Sequence, residues 1–316
     1  MKKIIATLLA SAFLSTTVMA QKFPTRPVKI ILSIGVGAGP DVMARKISEV
    51  LTEKWKQPVL VENRPGGAGV IGLNAINNEP SDGHTIGFLD GGSVVSYPIL
   101  YKNYEPISRL EPVAPVLDAN MAMFVSSQIR NYDELKQEIA KNLTYSSWNI
   151  GSIGHLLGAE FGASLGNKSM THVPYKDFGQ WQADVSTRLV PYAFGSTGTT
   201  KNMVLAGKTK LIGIATTQRD PRYPDVPTIK ELTGKNITTL ISWCSFYVSS
   251  GTPTAIKNQL ERDLKEAVAD QRVQETMAKF DYISIHNMTL IEFKRKVKND
   301  QEQYQTIVNN FNITPQ

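Results

Sequence analysis

What this sequence has little of narrows its chemistry. Cys244 is the only cysteine in 316 residues, so no internal disulfide forms and the fold must rest on its apolar core. The four histidines, His84, His155, His172 and His286, are scattered, with no HxxxH or carboxylate pattern, which argues against a metal centre. Charge is spread without long runs: 34 basic residues face 28 acidic ones, a net charge of +6. That excess is too diffuse for a nucleic-acid footprint but suits a small anionic ligand. Beyond the first twenty residues no uncharged apolar run reaches the ~18 to 20 residues of a bilayer-spanning helix. With 41% hydrophobic and 20% charged residues, the composition is that of an ordinary globular chain, expected to be free in solution.

The first twenty residues, MKKIIATLLASAFLSTTVMA, read as an export signal. Lys2 and Lys3 form the positive n-region, Ile4 to Leu14 the apolar stretch, and Val18-Met19-Ala20 the peptidase recognition end. Cleavage is expected after Ala20, with Gln21 as the mature N-terminus. No cysteine follows Ala20, so a lipid anchor is not expected. The mature 296 residues carry 32 basic and 28 acidic groups, a net +4. They are enough for two domains, each with its own core.

The mature chain alternates short β-branched runs with amphipathic stretches, the grammar of parallel sheets flanked by helices. Val28 to Ser33 predicts a strand, followed by the turn GVGAGP and a helix through DVMARKISEVLTEKW, with Val42, Ala44 or the stem of Arg45, Ile47 and Leu51 roughly on one face. PVLVEN and HTIGFLD are the next strands, followed by the turns RPGGAG and GGS. The same pattern repeats from Tyr132: helix, strand LTYSSW, turn NIGSIG, helix HLLGAEFGASL, then MTHVPYK, FGQWQADVSTR and VPYAFGS. A helix near Met203 to Ala206, the strand LIGIATT and the run ITTLISWCSFYVSS lead to two closing helices. Crossings near Met121 to Ser126 and near Ile241 to Val248 would join the two units as a hinge about a cleft. Cys244, between Trp243 and Ser245, is expected to be a buried strand residue.

Glycine turns recur after strands at GVGAGP, GGAG, GGS and NIGSIG, each just before a predicted helix. Such turns bare backbone N–H groups at a positive helix end, ready for a carboxylate or phosphate. A dinucleotide site at GVGAGP would need a third glycine where Pro40 stands, and Glu62 lies beyond the usual spacing of a ribose-binding acid. Gly162-Ala163-Ser164-Leu165-Gly166 matches GxSxG, yet it ends an amphipathic run and reads as a helix terminus stopped by Gly166. Asp41 in a first helical turn serves the helix dipole without any ligand. Lys176, at the end of THVPYK, is equally a cleft cation or a surface residue, and Tyr175 and Trp148 are candidate apolar walls.

The series FPTRPVKII, GPDVMAR, VENRPGGAGVIG, PSDGHTIGF, YSS..IGS..HL, HVPYK, LAGKTKLIGIATTQR, YPDVPTIKEL and WCSFYVSSGTP resembles the Bug family, the extracytoplasmic solute receptors of tripartite tricarboxylate transporters. The resemblance runs from Phe23 to Ile313. It implies an α/β fold of the two-lobed periplasmic binding protein class, type II-like, with a ligand cleft between the lobes. It also implies small carboxylate ligands held mainly by main-chain amides and water. The chain departs from the family pattern at Ser33-Ile34, Gly37-Ala38, Trp148, Asp177 and Gly195-Ser196, all at the presumed cleft.

The resulting expectation is a periplasmic receptor that captures a small organic carboxylate and presents it to membrane components of a transporter. No catalysis, cofactor, metal or nucleic acid is expected, and the chain is expected to act as a monomer. Lobe one is assigned to residues 21–121 and 246–316, and lobe two to 122–245. Gly37, Ala38, Gly39, Gly66, Gly67, Gly91 and Ser93 are the candidate ligand residues of lobe one. Ser147, Asn149, Gly151, Ser152, His155, Tyr175 and Ser196 face them from lobe two. The alternative is an exported serine hydrolase using Ser164 or another serine, which requires a histidine and an acid converging on that serine.

Overall fold

A computed structural model of the chain describes residues 23–101, 104, 106–167, 169–175, 178–237 and 242–311. The expected export signal, Lys176, Asp177 and Ile241 lie outside the described residues. The chain runs through β1 (Val28–Leu32), α1 (Gly39–Trp55), β2 (Val59–Asn63), α2 (Val70–Asn77), β3 (Thr85–Asp90), α3 (Tyr97–Leu100) and β4 (Leu110–Ala119). After Asn120 come β5 (Met121–Ser126), α4 (Tyr132–Lys141), β6 (Thr144–Ser147), α5 (Ile153–Ser164), β7 (Thr171–Pro174), α6 (Phe178–Ser186) and β8 (Ala193–Ser196). The remainder is α7 (Thr197–Leu205), β9 (Thr209–Ile214), α8 (Ile229–Thr233), β10 (Ser242–Ser249), α9 (Thr254–Ala269), α10 (Gln271–Lys279), β11 (Ile283–Ser284) and α11 (Leu290–Asn310).

Local chemistry accounts for these boundaries. In α1, Pro40 occupies the first turn, where its missing N–H costs no helical bond, and Lys56 closes the helix in the left-handed conformation at φ 55. The buried face is Met43, Ala44, Ile47, Leu51 and Trp55, and Val42 lies only half-buried at its rim. Thr228 with Glu231 and Thr289 with Glu292 form capping boxes that start α8 and α11. Cys244 is buried in β10, as its apolar surroundings predict. Two segments differ from expectation. GGS opens a helical turn over Gly92–Ser96 that runs into α3, and α7 starts at Thr197, well before Met203, because Ser196 caps it through the Thr199 N–H.

Two sheets organise the chain, in the orders β11-β4-β10-β3-β1-β2 and β7-β6-β8-β5-β9. In the first, β2, β1 and β3 are parallel, and β10 runs antiparallel between β3 and β4. In the second, β7, β6 and β8 are parallel, and β5 runs antiparallel between β8 and β9. Both sheets thus hold a parallel trio linked through helices beside an antiparallel strand: β10, which returns to the first sheet after the second has been traced, and β5, which follows β4 directly. The first crossing is shorter than expected. Asn120 alone separates β4 from β5, so Met121 to Ser126 is already sheet. The start of β10 at Ser242 belongs to the first sheet.

One apolar cluster packs the inner faces of both sheets together, joining Ile31, Leu73, Tyr97 and Phe293 to Met123, Tyr145, Leu157 and Phe161. A second lies behind the first sheet, around Ile30, Ile47, Phe88, Phe246 and Leu264, and a small third behind the second sheet, around Phe124 and Trp181. A polar network ties the halves at the crossing. Asn120 Nδ2 donates to Asp220 at 2.8 Å, and Arg222 Nε donates to the same carboxylate at 2.9 Å. The Arg222 guanidinium also reaches the Asp281 carbonyl, while the Asp281 carboxylate accepts from Lys201 Nζ at 2.7 Å and from the Tyr223 hydroxyl. Asp281 is buried and holds a left-handed φ of 52, costly for a residue with a Cβ, so its contacts fix it there. Asp281→Ala is expected to lower stability by about 1–3 kcal/mol, because it strips a charged acceptor from two donors, Lys201 and Tyr223. Urea unfolding measures this, and Asp281→Asn, which keeps one acceptor oxygen, is expected to lose less.

Candidate ligand cleft

The candidate residues gather at the C-terminal ends of the parallel strands, the edge where open α/β sheets receive ligands. In the first lobe, Gly37 and Gly39 bracket Ala38 at the start of α1. The Gly37 N–H is already donated to Asp41 Oδ2 at 2.9 Å. Asp41 is buried and also accepts from Arg45 and Asn63. Burial works against its charge, but the hydrogen bonds from Arg45, Gly37 and Asn63 outweigh it and hold the carboxyl below the usual carboxylate range. Asp41 therefore organises the turn, as its place in a first helical turn predicts.

Gly66 and Gly67 begin a run of left-handed residues that continues through Ala68 and Gly69, with φ values of 117, 56, 50 and 90. A side chain on Gly69 would fall 3.0 Å from Ser93 Oγ, 3.2 Å from the Tyr104 hydroxyl and 3.3 Å from Ser33 Cβ. The ends of β1, β2 and β3 meet at that point. Ser93 gives both its N–H and its hydroxyl proton to Asp90 Oδ1, at 3.1 and 2.7 Å, and accepts from Ser33 at 3.0 Å. Gly91 lies flat against the Trp243 ring.

In the second lobe, Ser152 caps α5 by accepting the His155 N–H at 3.2 Å. Its hydroxyl lies 2.9 Å from Ser147 Oγ, which lies 2.8 Å from His172 Nε2. The Gly151 N–H donates to His155 Nδ1 at 2.9 Å, which places the imidazole proton on Nε2. The two imidazoles stack with centroids 3.9 Å apart. Burial pushes the pKa of His155 down to about 4, and burial together with His155 pushes His172 down to about 3. The Tyr175 N–H binds the Ser147 carbonyl, and its hydroxyl donates to Asp184 at 2.7 Å, so the ring is what Tyr175 presents. Ser196, as the cap of α7, completes the edge. His172 was missing from the expected set because nothing in THVPYK marks that histidine as a neighbour of Ser147.

The two edges meet. Gly151 of the second lobe packs against Leu100 and Tyr97 of the first. On the other flank Gly198, in the first turn of α7, packs against the Phe280 backbone, and Gly39 against Tyr282 and Phe280. The starts of α1, α5 and α7 therefore border one seam. Ser164, by contrast, ends α5 with its hydroxyl donated to the Phe161 carbonyl at 2.7 Å and its own carbonyl held by Lys235. Ser147 has a histidine partner but is fully buried, and no carboxylate bonds His172 among the described residues. The convergence that a serine hydrolase requires is thus not met.

A family model described as "Tripartite tricarboxylate transporter family receptor" matches residues 43–313. The chain belongs to that family. It is 30% identical over 254 residues to a UPF0065 protein of Bordetella pertussis, covering 78% of each chain. Its structure is similar to that of the periplasmic binding protein BugD, with TM-score 0.81 and 26% identity over 93% of this chain and all of that one. It shares its fold with a Rhodopseudomonas palustris protein bound to adipate, with TM-score 0.83 and 22% identity over 93% and 100% of the two chains. The protein is a periplasmic solute-binding receptor of the two-lobed type and not an enzyme.

The receptor's histidine pair has a pH signature. Both pKa values lie below the ~6.5 of an unfolded histidine, so the unfolded state binds more protons as pH falls. Their contribution is complete above about pH 6.5 and is lost as pH falls toward 4 and 3. Replacing His172 by Gln is expected to flatten the fall in urea midpoint between pH 6.5 and 4, relative to the unsubstituted receptor.

Proposed function

We propose that this receptor captures a small organic carboxylate between its lobes and delivers it to the membrane components of its transporter. The observation that carries the reading is the meeting of three helix starts, those of α1, α5 and α7, at one seam contributed by both lobes. First-turn amides have no intrahelical partner and carry the positive end of the helix dipole, so they favour an anion. Two or three such charge-assisted bonds at about 1.5–3 kcal/mol each, with apolar contact, reach the approximately −8 kcal/mol of a micromolar complex after closure costs.

In this reading Gly37, Ala38, Gly39, Gly66, Gly67, Gly91 and Ser93 line the cleft from residues 21–121 and 246–316. Ser147, Asn149, Gly151, Ser152, His155, Tyr175 and Ser196 line it from residues 122–245. The chain acts as a monomer after cleavage behind Ala20. Recognition is led by main-chain amides, with the serines and His155 bracing the loops that present them. The adipate bound to the Rhodopseudomonas palustris protein is an instance of the ligand chemistry on this fold.

A thermal-shift screen of small carboxylates against the mature receptor tests this. At a hundredfold excess over Kd, a true ligand adds about 2.7 kcal/mol of stability and a clear rise in Tm. A folded receptor that responds to no carboxylate in a broad set would refute the reading.

A further inference from the structure

Nine large hydrophobic side chains stand exposed among the described residues, and three of them belong to the site edge. Val36, in the turn after β1, is 74% exposed; Ile71, in the first turn of α2, 52%; and Trp148, directly after β6, 36%. The neighbours of Trp148 fix it at the seam. Ser147 before it is buried, and Gly151, three residues on, packs against Leu100 and Tyr97 of the other lobe. Its indole meets Trp181 edge-on at 6.5 Å, and Trp181 is itself anchored through Nε1 to Ser146 Oγ at 3.0 Å. A large ring is therefore held part-exposed on a rigid support, at the mouth of a cleft whose floor is glycine and serine.

The charges at the same edge are sparse. The described loops 33–38, 64–70, 90–93, 147–152 and 196–198 carry two ionisable side chains. Arg64 is paired with Glu62 at 3.0 Å, and Asp90 is an acid without an ion-pair partner among the described residues. Lys201 and Arg222, two cations of the second lobe, are engaged with Asp281 and Asp220. Main-chain donors serve instead. In the second lobe the N–H groups of Gly151, Thr197 and Thr199 are spent on His155, Asn120 and Ser196, which leaves the first-turn amides of Ile153, Gly154 and Gly198 among the described residues. That set can hold one carboxylate, and the rest of the ligand then lies beside the apolar side chains of the rim.

On the footing of the carboxylate-receptor reading above, we infer that the ligand is an aromatic carboxylate. Its carboxylate sits on the amides of α5 and α7. Its ring lies against Trp148, with Val36 and Ile71 closing over it from the first lobe. An offset or edge-to-face ring pair adds attraction beyond the area buried, and a planar acid loses little torsional freedom when the lobes close.

The test is calorimetric titration of the mature receptor with benzoate, phenylacetate, succinate and adipate, alongside Trp148→Ala and Trp148→Phe. Thermal unfolding of each variant confirms that it is folded. The expected result is tighter binding of benzoate or phenylacetate than of either dicarboxylate, weakened roughly five- to tenfold in Trp148→Ala and largely restored in Trp148→Phe. Preferential binding of succinate or adipate overturns the inference and leaves the carboxylate-receptor reading standing. So does aromatic binding that Trp148→Ala leaves unchanged. Failure of all four acids, with no other carboxylate shifting the Tm, overturns the reading itself and the inference with it.

Discussion

The first sheet of this receptor is completed by a strand that arrives only after the whole second sheet has been traced. β5 follows directly on β4 and opens the second sheet, and β10 returns from that half to lie between β3 and β4. The first sheet cannot reach its final order until the chain has come back through the second half, because β10 supplies hydrogen bonds to both its neighbours. The apolar cluster that runs across both inner faces depends on the same return. So does the network from Asn120 through Asp220 and Arg222 to Asp281. The cleft edges are set by this constraint, since it turns the C-terminal ends of both parallel trios toward one seam.

At the seam, recognition is divided between what is fixed and what is offered. The hydroxyls of Ser147 and Ser152 and the imidazoles of His155 and His172 satisfy one another and carry no charge near neutral pH. They act as bracing that keeps the α5 start in place. Asp41 does the same for the α1 turn at the cost of the Gly37 amide. The offered groups are amides, which have no alternative rotamer and no titration, and they favour an anion without presenting a counter-ion that would bind salts indiscriminately. Under the carboxylate reading, selectivity among anions falls to the side chains at the rim, Trp148 above all.

The sequence disclosed more of the scaffold than of the bracing. β1, α1, β2 and β3 were legible because glycine turns punctuate apolar runs, and the end of α5 was legible at Gly166, which takes a φ of 83. β4 was hidden by Pro112 and Pro115, which ordinarily argue against an inner strand. They are tolerated because the register with β10 shifts between Cys244 and Ser245 and again between Phe246 and Tyr247, next to the residues paired with those prolines. On α1, Ala44, Ile47 and Leu51 are buried as expected, but Met43 takes the place expected of Val42, which, apolar though it is, sits at the edge of the buried arc. The glycines of the site were visible as turns. Whether their amides were free was not visible, since the acceptor for Gly151 is a histidine four residues on and that for Thr197 is a carbonyl 77 residues away. His172 and Asp281 enter only through tertiary contacts, which have no local pattern.

Asn120 is a linker one residue long. Strands on both sides of it are locked into their sheets, and its side chain is tied to Asp220, so the lobes have almost no slack to slide past one another at this point. What remains is torsion. A small backbone rotation at such a pivot leaves Asn120 nearly in place while sweeping the distant lips of the two lobes through a much longer arc, as a door moves most at its latch. A receptor so hinged would turn a few degrees at one peptide unit into a much larger displacement at whatever part of the lips lies farthest from it.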